Sequence, residues 1–124
     1  MKIKLCIGQS ILHILSVYAP QTGCKEEEKD DFRAILDEAV MEIPKDDLVI
    51  IGGDLNAHVG KSIATKGIML VGERNDEGEH VLKFVQALDL ALTNTYYRKK
   101  DRHLITYESG TRKTQIDCML ISRR

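Results

Sequence analysis

The stretch "VIIGGDLNAHVG", residues 49–60, sets a carboxylate, Asp54, two residues before a carboxamide, Asn56, where an apolar run stops. On an extended backbone two such side chains point the same way. The acid can take a proton or hold a metal, and the amide can orient a water or donate to a phosphate oxygen. The simpler reading of the same residues is a strand-end turn closed by an Asx hydrogen bond. Gly52 and Gly53 let a ligand or a neighbouring strand come close.

Two further positions carry the same kind of chemistry. Tyr18 in "SVYAP" stands before a proline-fixed turn, where its phenol can reach a phosphate or simply sit half-buried with its hydroxyl in water. Asp117 in "QIDC" falls within an apolar segment. A carboxylate there either has a partner, such as a histidine, a metal or an arginine, or faces outward in a salt bridge. "NDEG", from Asn75, reads as a helix cap, and "TNT", 93–95, as a strand-end turn. His13, His58, His80 and His103 lack metal-ligand spacing, and only His58 lies near Asp54. "HVGKS" lacks the spacer and second glycine of a phosphate-binding P-loop.

The elements that must position these residues follow from periodicity. "IKLCIG" and "SILHILSVYAP", either side of "GQS", read as a β-hairpin. "EEEKDDFRAILDEAVMEIP" reads as a helix with an acidic start and an apolar face of Phe32, Ile35, Leu36, Ala39, Val40 and Ile43, stopped by Pro44. "DLVIIGGD" has the character of a central strand covered on both faces. The segment from Leu55 to Arg74 is a long loop, of the kind that is usually functional. A second helix spans "NDEGEHVLKFVQALDL", with a face of Val81, Phe84, Val85 and Leu88 and a capping box from Asp76 and Glu79. "ALTNT", "LITYES" and "QIDCMLIS" read as strands. The order predicts an α/β fold with a mixed sheet rather than a regular βαβ repeat.

Composition bounds the rest. A length of 124 residues predicts one domain, 1–124, able to bury a core unaided. No apolar run approaches the roughly 18 residues of a membrane span, and the start has no secretory signal pattern. Cys6, Cys24 and Cys118 are scattered and odd in number, as in reduced intracellular proteins. Residues 1–94 hold 10 Lys/Arg against 16 Asp/Glu, whereas residues 95–124 hold 8 against 3. That basic final quarter, with Tyr96, Tyr97 and Tyr107 interleaved, suits either a nucleic-acid backbone or plain solvation.

Taken in order, "YAPQ" from Tyr18, a helix, "IIGGDLNAHVG", "NDEG" opening a helix, "LALTNTYY", "ITYES" and "QIDCMLISRR" resemble the endonuclease/exonuclease/phosphatase superfamily. Within it, the chain looks most like the apurinic/apyrimidinic-type endonuclease domain of non-LTR retrotransposons. The resemblance covers essentially the whole chain. It implies a four-layer α/β sandwich with mixed sheets flanked by helices. It also implies phosphodiester hydrolysis of DNA with Mg2+ or Mn2+. By that resemblance Tyr18 contacts the scissile phosphate, Asp54 orients or deprotonates the attacking water, and Asn56 holds water and phosphate. Asp54 and Asn56 are the implied metal-side residues, and Asp117 orients a catalytic histidine. Asn75, Thr106 and Tyr107 fall where the family has DNA-facing or supporting residues, although many relatives carry Trp at the place of Tyr107.

The chain also departs from that pattern. The family's metal-binding Glu lies on a strand before the region where this sequence starts, and its Ser-Asp-His segment lies beyond Arg124. The expectation is therefore a partial domain, truncated at both ends. Such a domain would have weakened metal affinity, weak or absent turnover, and exposed sheet edges open to self-association. The alternative function is a catalytically dead, retrotransposon-derived domain that binds DNA or a protein partner. A DNA substrate would imply a nuclear location.

Overall fold

The computed structural model describes residues 1–60, 73–95 and 100–123. The hairpin forms as expected. β1 (Lys2–Ile7) turns through Gly8, which has a φ of 61°, and pairs antiparallel with β2 (Ser10–Tyr18). The chain then crosses through α1 (Glu26–Met41) to β3 (Leu48–Asp54), which lies parallel to β2. After the loop come α2 (Asp76–Ala87) and β4 (Leu90–Leu92). A small separate hairpin follows, β5 (Tyr107–Ser109) with β6 (Arg112–Thr114), and then β7 (Asp117–Ser122). The five-stranded sheet has the order β1-β2-β3-β7-β4, with β7 inserted antiparallel between β3 and β4. This is the mixed α/β arrangement that the order of elements predicts.

Both helices lie on one face of that sheet. Leu15, Val49, Ile51, Leu90, Leu92 and Leu120 project from the strands into a single core. Leu36, Val40 and Ile43 from the α1 region meet them, as do Leu82 and Val85 from α2. Ile51 and Leu120, central in the sheet, are 1% and 0% exposed. Fully burying such side chains contributes roughly 1.5–3 kcal/mol each. α1 opens with Glu26, Glu27 and Glu28 in its first turn, where the helix dipole favours anions, and the Lys25 N–H donates to Glu28 Oε2 at 3.1 Å.

Four details differ from the sequence expectations. Ile35 is 66% exposed and lies off the face of α1, which is narrower than the apolar spacing suggests. α2 is capped by Asn75 itself, whose side chain accepts from the Gly78 N–H, while Glu79 pairs with Arg74 at 3.0 Å rather than closing a box with Asp76. β6 was not expected. β3 is central, but only one of its faces is buried, because among the described residues no helix covers the other. Residues 61–72 of the expected loop, and Tyr96 and Tyr97, lie outside the described residues.

Candidate functional site

The register of three strands builds the site. Tyr18 pairs with Asp54 across β2 and β3, and Asp54 pairs with Asp117 across β3 and β7. Residues directly paired across strands put their side chains on the same face, roughly 5 Å apart. Tyr18, Asp54 and Asp117 therefore form a row across the carboxyl ends of two parallel strands and the start of an antiparallel one. The row lies on the face opposite the helices. Tyr18 is 67% exposed, Asp117 is exposed and Asp54 is half-buried. Asp117 is the first residue of its strand rather than an interior one, which is how a carboxylate escapes burial in an otherwise apolar segment.

Several backbone and side-chain bonds fix this row. The Ala19 N–H donates to the Asp54 carbonyl at 2.9 Å, and the Leu55 N–H to the Ile116 carbonyl at 3.2 Å. Thr106 Oγ1 accepts from the N–H groups of Ile116 and Asp117, at 3.0 and 3.3 Å, and so anchors the start of β7. Asn94 clamps the same strand from the other side. Its Nδ2 donates to the Asp117 carbonyl at 3.1 Å, and its Oδ1 accepts from the Met119 N–H at 2.8 Å. Asn94 is the site-supporting residue that sequence reasoning passed over as a turn. The signal available was an amide next to a strand end, which is weak alone.

Asn56 is where local geometry departs from expectation. The strand ends at Asp54, whose Oδ1 accepts the Asn56 N–H at 2.8 Å. That Asx bond turns the chain, and Asn56 takes a φ of 46°, a left-handed conformation that asparagine tolerates. Asn56 Nδ2 then donates to the Ala19 carbonyl at 2.8 Å. Asn56 ties the β3 end to the turn after Tyr18, and its side chain does not run parallel with that of Asp54. Gly53, with a φ of 148°, is required here, since a Cβ would overlap the Val17 carbonyl of β2. Gly52 instead faces open space on the side of the row.

Asn75 serves a neighbouring structural role. Its Oδ1 accepts from the His58 N–H at 3.0 Å as well as from Gly78 at 2.9 Å, and its own N–H donates to the His58 carbonyl at 3.1 Å. It joins the loop after Asn56 to the start of α2. His58 is half-buried. His13 is buried on the helix-covered face, with Nε2 2.8 Å from Asp47 Oδ2. Tyr107 is exposed on the small hairpin. There Lys113 pairs with Glu108 at 3.0 Å, while Arg123 donates to the Leu90 carbonyl at 2.9 Å, so part of the basic C-terminal charge is engaged locally.

Cys118, beside Asp117, is buried among the core side chains. Burial pushes its thiol up to about 12, and the carboxylates of Asp117 and Asp54 push the same way. On the other side of the sheet, a groove of about 400 Å³ runs between the helices, between Phe32 and Leu36 of α1 and Val81 and Phe84 of α2. Burial raises the Glu77 carboxyl at its edge, but the bond from Lys29 at 2.7 Å and backbone hydrogen bonding hold it below the usual carboxylate range.

The arrangement of sheet and helices is similar to that of a solved structure of the endonuclease/exonuclease/phosphatase family. A family protein of that name from Leptotrichia buccalis C-1013-b superposes with a TM-score of 0.59 at 13% identity, over 98% of this chain and 41% of that one. In sequence the chain is similar to craniofacial development protein 2 of Bos taurus, 32% identical over 117 residues. It is also 30% identical to the Tragulus javanicus protein over the same length. These matches cover 91% of this chain, which spans only about a fifth (20%) of the length of either relative. No family model matches the chain.

Proposed function

We propose that the chain is a phosphodiesterase-type domain acting on DNA, with the row Tyr18–Asp54–Asp117 as its reacting edge. The observation that carries this reading is the in-register placement of a phenol and two carboxylates at the carboxyl end of the parallel strands of a sheet whose other face is buried, where open α/β folds place ligands. Rigid strand ends hold reacting groups within the tolerance that positioning requires.

The donor set suits a hard divalent cation that keeps most of its water. Among the described residues no group of three or more His, Cys, Asp or Glu is placed to cage an ion. Mg2+, however, is commonly held by one or two carboxylates with several waters and substrate phosphates. Asp54 and Asp117 are the residues that would hold it, with the Oδ1 of Asp54 already accepting one backbone N–H. When bound, Mg2+ (or Mn2+) would supply charge neutralisation at the phosphate. In this reading the Tyr18 hydroxyl donates to a phosphate oxygen. Asp54 Oδ2 orients the attacking water and takes its proton. Asn56 and Thr106 keep the two strand ends in place, and Asn75 and Tyr107 flank the path of the nucleic acid.

The alternative is a domain that binds DNA or a protein without turnover. It is favoured by the same bonds, since Asp54 Oδ1 and the Asn56 amide are both occupied by local backbone. Supercoiled plasmid and a duplex with one abasic site, each with Mg2+ and with chelator, separate the two readings. The catalytic reading expects nicking that needs the metal and is lost in Asp117→Asn, which keeps the shape of the strand end, and in Asp54→Ala. A folded protein that nicks no better than these variants would leave the binding reading. Its DNA affinity should then fall steeply as salt rises.

A further inference from the structure

The strand that carries Asp117 is held differently at its two ends. From Leu120 to Ser122, β7 pairs with β4 in the register Leu92↔Leu120, Ala91↔Ile121 and Leu90↔Ser122. The ladder stops there, because the chain leaves β4 through the short 3-10 helix Thr93–Thr95. Among the described residues no strand pairs with Asp117 to Met119 on that side. Unpaired strand ends open readily, since their N–H and C=O groups have only water to bond. Here side chains take the strand's place. Asn94 uses both halves of its carboxamide: Nδ2 donates to the Asp117 carbonyl at 3.1 Å, and Oδ1 accepts from the Met119 N–H at 2.8 Å. Thr93 Oγ1 donates to the Met119 carbonyl at 3.0 Å, and Thr106 Oγ1 accepts from the Asp117 N–H at 3.3 Å. The N–H and C=O of both Asp117 and Met119 are thus bonded to side chains.

We propose that Asn94 is a positioning residue for Asp117: its carboxamide stands in for the next step of β4 and fixes the Asp117 carboxylate in the row with Tyr18 and Asp54. The consequence for turnover rests on the phosphodiesterase reading, whereas the positioning itself does not. The task suits a carboxamide, which donates at one end and accepts at the other, while a carboxylate only accepts. Its two bonds straddle Cys118 and reach the residues on either side, so they set the direction of the strand end as well as its distance. A full strand would make the same bonds but carry backbone on along the rim. A side chain makes them and ends, so that Asp117 is both tied and exposed. Tolerances at reacting groups are tight, and support from a second layer of hydrogen bonds is what meets them.

The test compares Asn94→Ala with the wild type and with Ser122→Ala. The control removes a bond of the same kind at the far end of β7, where Ser122 Oγ accepts from the Val49 N–H at 3.0 Å. Asn94→Asp is the milder variant, since it keeps an acceptor for Met119 and loses the donor to Asp117. Residue-resolved amide hydrogen exchange needs no turnover. Asn94→Ala should speed exchange by at least about tenfold at Met119, which loses its acceptor, and also at Asp117, whose own N–H is bonded to Thr106. Asn94→Asp should release Asp117 more than Met119, and Ser122→Ala should release neither. Acceleration confined to Met119 in Asn94→Ala overturns the proposal. In Mg2+-dependent nicking of supercoiled plasmid, Asn94→Ala should lower kcat by at least about tenfold and leave KM within about twofold, the pattern of a misplaced reacting group. Ser122→Ala should keep the wild-type kcat even where its melting temperature falls. An Asn94→Ala variant that keeps the wild-type kcat also overturns the proposal. A wild type that nicks nothing, with Asp117 still released by Asn94→Ala, sinks the phosphodiesterase reading and upholds Asn94 as the residue that positions Asp117.

Discussion

The helix-covered and open faces of the sheet are drawn from the same strands, residue by alternate residue, yet they have different physical lives. On β7, Leu120 is 0% exposed beneath the helices, whereas Met119 beside it is 48% exposed. On β3, Ile51 is buried while Ile50 is only half so. The covered face carries the fold's stability. The open face carries, at one end, every reacting group we assign. A sheet can present chemistry at its rim because its other side is already held by a core, and the row Tyr18–Asp54–Asp117 need not contribute to stability itself.

The largest expected contrast tests that division directly. Leu120→Ala should cost about 2–5 kcal/mol, as large-to-small changes in cores do, while Met119→Ala should cost under about 1 kcal/mol. Chemical denaturation of both variants decides it. Equal losses would mean that the open face is part of a core within one chain, and the comparison would fail.

The adjacent glycines give the next contrast. Gly53→Ala forces a Cβ into the Val17 carbonyl at a φ of 148°. The strain and clash should cost roughly 3 kcal/mol or more and part β2 from β3. Gly52→Ala meets nothing within 4 Å and should be tolerated in stability. Its methyl group would lie one register position from Asp54, so a drop in DNA nicking or binding without loss of melting temperature would sharpen the assignment of the site to this face.

How much of this was legible in the sequence depends on the range of the interaction that decides it. The hairpin, both helices and the chemistry of β7 follow from local periodicity. So does the Asn75 cap, because capping is decided within a few residues. Ile35 misled because apolar spacing marks a helical face only where a neighbour reaches it, and α1 meets the sheet along a narrower stripe. β6 was missed because "TRKT" carries no apolar alternation and is held by its pairing with β5. The one-sided covering of β3 was invisible, because strands buried on one face or on both read alike when the outer residues are Ile and Leu. Within the site, Tyr18, Asp54 and Asp117 were each legible as candidates, but their meeting in one row depends on long-range register. The left-handed turn at Asn56 was open to view only as the simpler of two readings.

A smaller effect probes the link between the site and the covered layer. Asn75→Ala removes the cap of α2 and the acceptor for the His58 N–H, and should lower stability by about 1–2 kcal/mol. Asn75→Asp keeps an acceptor at the helix N-terminus and should restore most of the loss. Melting curves of the pair measure it. If Asn75→Asp is as unstable as Asn75→Ala, the amide does more than cap the helix, and its assignment beside the nucleic-acid path gains weight.

The smallest effect comes from Cys118, which sits on the covered face but feels the open rim. Its thiol, raised from an ordinary 9.0 to about 12 by burial and then by Asp117 and Asp54, stays protonated in the folded chain while the unfolded chain ionises near 9.0. A group with a raised folded pKa contributes stability that is complete below its unfolded value and is lost as pH rises toward the folded one. Between pH 9 and 10 the folded state should lose about 1 kcal/mol on this account. Lysines and tyrosines titrate in the same range, so the quantity to measure is the difference in pH slope between the wild type and Cys118→Ala, which should lack this increment. Cys6 is exposed and should react with thiol reagents in the native state at neutral pH, while Cys118 should react only on unfolding. Equal slopes with fast native labelling of Cys118 would mean that the sheet opens at β7, so that the rim rests on a looser support than the core beneath Leu120 implies.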